Sequence, residues 1–186
     1  MITIVSGLPR SGTSLMMQML EAGGMPILSD GERQADVDNP RGYLEWERIK
    51  QLPNDPSVIA EADGKVVKVI SRLLLSLPEG HEYRVIFMQR PLWEVLASQE
   101  AMMRNRGTAD ASGPRVIQTA FVIHLRQVHG WLSQQPHIKT LPVHYHDVLR
   151  DAERIGEKVC NFLEIPLNLE AMTRQVDQTL YRNRCV

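Results

Sequence analysis

Apolar positions cluster into short blocks separated by Gly, Pro and charged residues. Met1 to Ser6 is a β-branched run without strong alternation, which predicts a strand inside a sheet covered on both faces. Thr13 to Ala22 carries Leu15, Met16, Met19 and Leu20 at helical spacing, and Gly23-Gly24 stops it. Lys65 to Ile70, Tyr83 to Met88 and Ile138 to Val143 read as further strands, the last weakened by Pro142. Helices are predicted over Leu92 to Arg104, Arg115 to Gln134 and Asp147 to Leu163, with a terminal helix over Leu169 to Thr179. Ile117, Phe121, Leu125 and Val128 mark the inner face of the second of these. Val148, Ile155, Val159, Phe162 and Leu163 mark that of the third.

The intervening stretches are less regular. Met25 to Tyr43 is a long polar loop of the kind that often borders a substrate site. Tyr43 to Lys50 looks like the start of a short helix ended by Pro53 to Ser57, and Val58 to Ala62 fits either a short strand or a short helix. Ser71 to Leu77 is a connection, and Asn105 to Pro114 is polar and Gly-rich, as in a mobile link. Strands alternating with helices predict a three-layer α/β domain with a mostly parallel central sheet. Sites in such sheets lie beyond the carboxyl ends of the strands. Ser6-Gly7, Ser71-Arg72 and Gln89-Arg90 all fall there.

Composition narrows this picture. The 186 residues suit one domain spanning 1–186, and 43% hydrophobic content supports a core. A net charge of −1 offers no general field for nucleic acid, although Arg10, Lys65 to Arg72, and Arg182 with Arg184 are locally basic. No apolar run approaches a membrane span, and Pro9-Arg10-Ser11-Gly12 interrupts the first one before it resembles a signal peptide. Cys160 and Cys185 form no motif, so the expectation is a cytoplasmic protein with reduced thiols.

The candidate chemistry begins at Gly7-Leu8-Pro9-Arg10-Ser11-Gly12-Thr13-Ser14. Two glycines five apart turn the chain so that loop and helix N-terminal amides converge on one anion. The spacing is that of a P-loop, but Thr13 stands where the lysine of a nucleotide kinase or NTPase is required. The Tyr83 strand ends in Gln-Arg-Pro, without the acidic residue that supports Mg²⁺ in those enzymes. The loop therefore suits a metal-free donor better than a kinase, which stays as the alternative beside a non-catalytic nucleotide-binding protein. His144 and His146 form an H-x-H pair with no third ligand at convincing spacing, so no metal is expected.

From Val5 to Met16, V-S-G-L-P-R-S-G-T-S-L-M resembles the 5′-phosphosulfate loop of sulfotransferases that use 3′-phosphoadenylyl sulfate (PAPS). Its Arg-bearing form is closer to tyrosylprotein sulfotransferases and bacterial sulfotransferase-like proteins than to the Lys-loop cytosolic enzymes. R-P-L-W-E-V-L-A-S, Arg90 to Ser98, is similar to the family's 3′-phosphate signature, which implies that Arg90 and Ser98 hold that phosphate. L-P-V-H-Y-H-D-V-L, followed by F-L-E-I-P, is a weaker likeness with His146 and Glu164 departing from the usual residues.

The resemblance implies a sulfotransferase with a P-loop nucleotide-binding fold. Its donor would be PAPS, held by Gly7, Pro9, Arg10, Ser11, Gly12, Thr13, Ser14, Arg90 and Ser98. The acceptor would be a hydroxyl or amine of a small molecule or carbohydrate. It further implies that Arg10 stabilises the departing bisphosphate, that Lys68 reaches the transferred sulfonate, and that Glu45 is the base. Glu45 reads equally well as a solvated acid at a helix start; Asp36 and His146 are reserve bases. Trp93 sits close enough to Arg90 in sequence to flank an adenine, and Tyr181-Arg182-Asn183-Arg184 is the candidate for a missing basic C-terminal loop.

Overall fold

The structure is a computed structural model that describes residues 1–105, 107 and 114–181. The first strand, β1 (Ile2–Gly7), is buried along its whole length and leads through a tight loop into α1 (Thr13–Ala22). Next come β2 (Ile27–Leu28), β3 (Val66–Lys68), the one-turn helix α2 (Ser71–Leu74), β4 (Tyr83–Gln89), α3 (Leu92–Asn105) and α4 (Pro114–Leu132). After β5 (Ile138–His144) the chain ends in α5 (Tyr145–Arg150), α6 (Ala152–Leu163) and α7 (Leu169–Thr173).

The five strands form one sheet in the order β2-β3-β1-β4-β5, and each neighbouring pair is parallel. Between β3 and β4 the chain crosses from one side of β1 to the other. The carboxyl end of β1 is therefore where the connections part and leave a crevice. Side-chain alternation supplies both faces. Ile2, Ile4, Val67, Tyr83, Val85 and Phe87 pack with Ile49, Leu52, Ile59, Leu74, Val128 and Leu132. Val5, Val66, Ile86, Met88, Leu141 and Val143 pack with Met16, Met19, Leu20, Ile155, Val159 and Leu163. The expected three-layer α/β arrangement is thus present, with apolar cores on both faces. Among the described residues, no helix is long and apolar enough to cross a membrane.

Several local expectations need correction. The expected helix over Asp147 to Leu163 is two helices, starting at Tyr145 and broken at Asp151, whose backbone is non-helical (φ −151°, ψ 75°). The Asp151 carboxylate accepts a hydrogen bond from the Arg154 amide at 3.1 Å, so a capping residue restarts the helix where an uninterrupted apolar pattern hid the break. The strand over Lys65 to Ile70 is only three residues long, and Ser71–Leu74 forms a helical turn. β2 lies inside the loop expected over Met25 to Tyr43; a two-residue strand has no periodicity to reveal it. Val58 to Ala62 belongs to a 3₁₀ helix, Pro56–Ala62, and a second one covers Glu47–Gln51. The terminal helix stops at Thr173, and a 3₁₀ turn follows at Gln178–Leu180. Pro142 is accommodated because β5 is an edge strand, where a missing backbone donor is tolerated. The link over Asn105 to Pro114 falls largely outside the described residues.

Candidate active site

The loop after β1 is shaped by close approach. A Cβ on Gly7 would stand 2.6 Å from the Met88 carbonyl oxygen and 2.5 Å from the Ser11 hydroxyl. Gly12 caps α1 in a left-handed conformation (φ 99°), and a Cβ there would lie 2.5 Å from the Tyr145 ring. No side chain caps α1, which leaves its first-turn amides to the crevice. Arg10 also adopts positive φ (71°), which turns its carbonyl towards Arg90 and its side chain across the cleft. The Ser11 hydroxyl is buried with no hydrogen-bond partner. A cradle of this kind, with open amides, an orphan hydroxyl and a cation, suits a phosphate-like anion.

The second motif meets the first directly. Arg10 Nε donates to Ser98 Oγ at 2.9 Å, and Arg10 Nη2 donates to the Asp38 carbonyl at 3.1 Å. Ser98 is buried on α3. Arg90, just beyond β4, donates from Nη1 to the Arg10 carbonyl at 3.1 Å and from Nε to Glu94 at 2.7 Å. Its guanidinium lies over the Tyr145 ring at 4.6 Å and the Tyr181 ring at 5.5 Å. Ser98 follows Arg90 by two helical turns, so the 90/98 spacing puts both at the cleft.

The opposite wall is built around Lys68, the last residue of β3 and almost fully buried. Its ammonium donates to Ser14 Oγ at 2.9 Å and to the Tyr43 carbonyl, and stands 3.7 Å from Glu45 Oε1. Burial pushes its pKa down from 10.5 to about 8, with Glu45 pulling the other way. Arg33 Nη1 donates to both Glu45 oxygens, at 2.9 and 3.0 Å, while its guanidinium stacks 3.4 Å over the Tyr43 ring. The Tyr43 hydroxyl donates to Asp36 at 2.8 Å. Asn39 Nδ2 donates to Ser14 Oγ at 3.0 Å and ties the irregular segment to α1.

These walls enclose a cleft of about 470 Å³. Gly7, Pro9, Arg10, Gly12, Thr13, Ser14, Glu45, Lys68, Arg90 and Ser98 line it; Ser11 sits behind them in the loop interior. Other candidates fall elsewhere. Asp36 is engaged with Tyr43 and does not line the cleft. His146 is turned to Glu94, at 2.8 Å, and borders a separate shallow hollow with Tyr181. Trp93 is 44% exposed and does not line the cleft. Arg182, Asn183, Arg184 and Cys185 lie outside the described residues. Among the described residues, no three His, Cys, Asp or Glu side chains are grouped to hold a metal.

Sequence reasoning did not single out Arg33, Tyr43, Asp38, Glu94 or Tyr145. Glu94 carried a usable signal, since it follows Arg90 by four positions at the start of a helix. The others reach the cleft from irregular chain or through packing, and no spacing marks them.

A profile of the sulfotransferase domain matches residues 2–184, and the chain belongs to that family. Its activity is PAPS-dependent sulfuryl transfer to an acceptor hydroxyl or amine. No curated protein matches the chain. Among solved structures, the chain is similar to a sulfotransferase domain from the curacin biosynthetic pathway, with 14% identity and TM-score 0.54, covering 95% of this chain and 77% of that one. A mouse sulfotransferase complexed with PAP has 12% identity and TM-score 0.55, with 99% of this chain and 66% of that one covered. A sulfotransferase from Alicyclobacillus acidocaldarius has 10% identity and TM-score 0.54, with 98% and 96% covered. At these identities the likeness is one of fold.

Proposed function

We propose that residues 1–186 work as one P-loop-type sulfotransferase domain whose two cleft walls divide the labour, one holding the donor nucleotide and the other activating a small-molecule or carbohydrate acceptor. The observation that supports this reading best is the meeting of three separated segments at one cleft: Arg10 on the loop, Arg90 with Ser98, and Lys68 with Glu45. The loop amides of Gly7 to Ser14 take the 5′-phosphate, and Arg90 and Ser98 take the 3′-phosphate. PAPS, when bound, supplies an activated sulfuryl group on a 3′,5′-bisphosphate leaving group.

The chain's own residues then have distinct tasks. Arg10, Thr13 and Ser14 offer fixed donors to the charge that develops on the bridging oxygen. Lys68, held by Ser14 and the Tyr43 carbonyl, supplies positive charge at the sulfonate. Glu45 takes the acceptor proton; Arg33, bonded to both of its oxygens, keeps the carboxylate aimed into the cleft. Arg10, Lys68 and Arg90 supply the positive charge that a kinase site draws from Mg²⁺, so the reaction needs no metal. The absence of a loop lysine and the engagement of Glu94 by Arg90 support that choice.

The test is a binding comparison on the full chain. Adenosine 3′,5′-bisphosphate binds more tightly than ATP–Mg²⁺, and Arg90→Ala weakens the bisphosphate selectively. Tighter ATP–Mg²⁺ binding, or indifference to Arg90→Ala, overturns the donor assignment.

A further inference from the structure

Arg90 is restrained far more than a phosphate ligand on a surface loop would be. Nε is taken by Glu94 Oε2 at 2.7 Å and Nη1 by the Arg10 carbonyl at 3.1 Å. The planar face rests against Tyr145 and Tyr181. Glu94 itself has no exposed surface, and its second oxygen is fully used as well. Oε1 accepts from the Tyr181 hydroxyl at 2.7 Å and stands 2.8 Å from His146 Nε2, and Tyr181 and His146 are 3.0 Å apart. Burying a carboxylate so completely is costly unless it is paired and hydrogen-bonded on both oxygens. Here three elements converge to meet that need: α3 provides Glu94, α5 provides His146, and the chain after the last 3₁₀ turn provides Tyr181.

We infer that Glu94 is a positioning residue for nucleotide recognition: by holding the Arg90 guanidinium edge-on to the cleft, braced by His146 and Tyr181, it sets the preference for a 3′-phosphate. The geometry carries this. A guanidinium fixed at Nε and Nη1 has its rotation stopped, and the edge bearing Nη2 is the part left to meet a ligand. An arginine fixed before the ligand arrives loses less side-chain entropy on binding, which converts more of each charge-assisted bond into affinity. Burial favours the neutral acid at Glu94, but the bonds from Arg90 and Tyr181 and the nearby positive charge outweigh it and hold the carboxyl below its ordinary range. Glu94 is therefore an anion in the resting protein. The same arrangement explains why the anionic Glu94 does not repel the phosphate: its charge is spent on Arg90, His146 and Tyr181, on the side away from the cleft lining.

This inference rests on Arg90 being the 3′-phosphate ligand, and the experiment separates the two. Titration calorimetry on the full chain measures adenosine 3′,5′-bisphosphate and adenosine 5′-monophosphate binding in wild type, Arg90→Ala, Glu94→Gln and the double variant. Glu94→Gln is expected to weaken the bisphosphate about tenfold, the scale of one charge-assisted hydrogen bond, and to leave the monophosphate within about twofold. In the Arg90→Ala background the second substitution has no further effect, because coupled residues are non-additive. Equal losses for both nucleotides, or additive losses in the double variant, overturn the positioning role. If Arg90→Ala leaves the preference for the bisphosphate intact, it is the assignment of Arg90 that fails. If Arg90→Ala abolishes that preference and Glu94→Gln does not touch it, only the role of Glu94 fails. Should Glu94→Gln not fold, Tyr181→Phe puts the same question: selective weakening of the bisphosphate supports the role, and no weakening overturns it.

Discussion

The two walls of the cleft are made in opposite ways. The donor wall comes from regular structure: a buried central strand, a tight loop, the N-terminus of α1 and the first two turns of α3. Its side chains are locked by contacts a few ångströms long between secondary elements, such as Arg10 to Ser98 and Arg90 to the Arg10 carbonyl. The acceptor wall comes from irregular chain between residues 29 and 45, where shape depends on polar links, Arg33 to Glu45, Tyr43 to Asp36 and Asn39 to Ser14. Rigid elements suit a ligand that never changes, and a loop tied down by side chains can be rebuilt for a different acceptor without disturbing the sheet. Lys68 and Ser14 form the seam, since Lys68 donates both to the donor-wall hydroxyl and to the acceptor-wall carbonyl of Tyr43.

The contrast breaks most sharply at Glu45. Glu45→Gln keeps the size of the side chain but removes the proposed base; kcat should drop by about 10²–10⁴-fold, while bisphosphate binding measured by calorimetry should stay unchanged. A variant with full turnover removes Glu45 from the reaction.

On the donor wall, Arg10→Ala is expected to lower kcat/KM by roughly 10²–10³-fold, the usual loss for one fixed donor to a developing anion. Steady-state rates at saturating acceptor measure this. The bisphosphate inhibition constant should rise with it, which Glu45→Gln does not cause.

The seam is tested by pH. Lys68 has a pKa of about 8, lowered mainly by burial, so the cation is lost as pH rises through about 8. The kcat/KM profile should fall on its basic side near that value, and Lys68→Arg should move the fall to higher pH because guanidinium stays protonated. Stability runs the other way. Between about 8 and the ordinary 10.5 the unfolded chain binds more protons at this site than the folded one, so stability rises with pH across that window. Denaturant midpoints at a series of pH values follow this sign.

The smallest effect belongs to the polar ties. Tyr43→Phe removes the bond to Asp36 and should cost about 0.5–1.5 kcal/mol of stability, seen as a lower denaturant midpoint, with acceptor KM raised and donor affinity unchanged. A fall in donor affinity instead would mean that the two walls are not separable.

Legibility in the sequence followed the same division. The loop glycines and Arg10 were readable because strand, turn and helix are local and their spacing is fixed by backbone geometry; the pairing of Arg90 with Ser98 was implied by the resemblance. Lys68 could be placed at a strand end, although the strand is three residues rather than six. Glu45 was a candidate on resemblance, yet nothing in the chain announced Arg33 beside it, twelve residues away across irregular backbone. Trp93 does not line the cleft, because adjacency to Arg90 in sequence says nothing of which way a side chain faces, and His146, a reserve base, meets Glu94 instead.

By itself, the sequence determined the alternation of strands and helices, the two apolar faces of the sheet, and an anion-binding loop that lacks the lysine of a kinase. These follow from periodicity and from the few residues able to make a tight turn. Tertiary structure alone decided that α5 and α6 are separate and that Lys68 is buried against Ser14 and Tyr43. It also decided that Glu94, His146 and Tyr181 brace Arg90 from behind. The hydrogen bonds that Lys68 and Tyr181 make there join residues 25 to 87 positions apart, and their energy appears only when burial strips water from both partners. No local pattern carries that information.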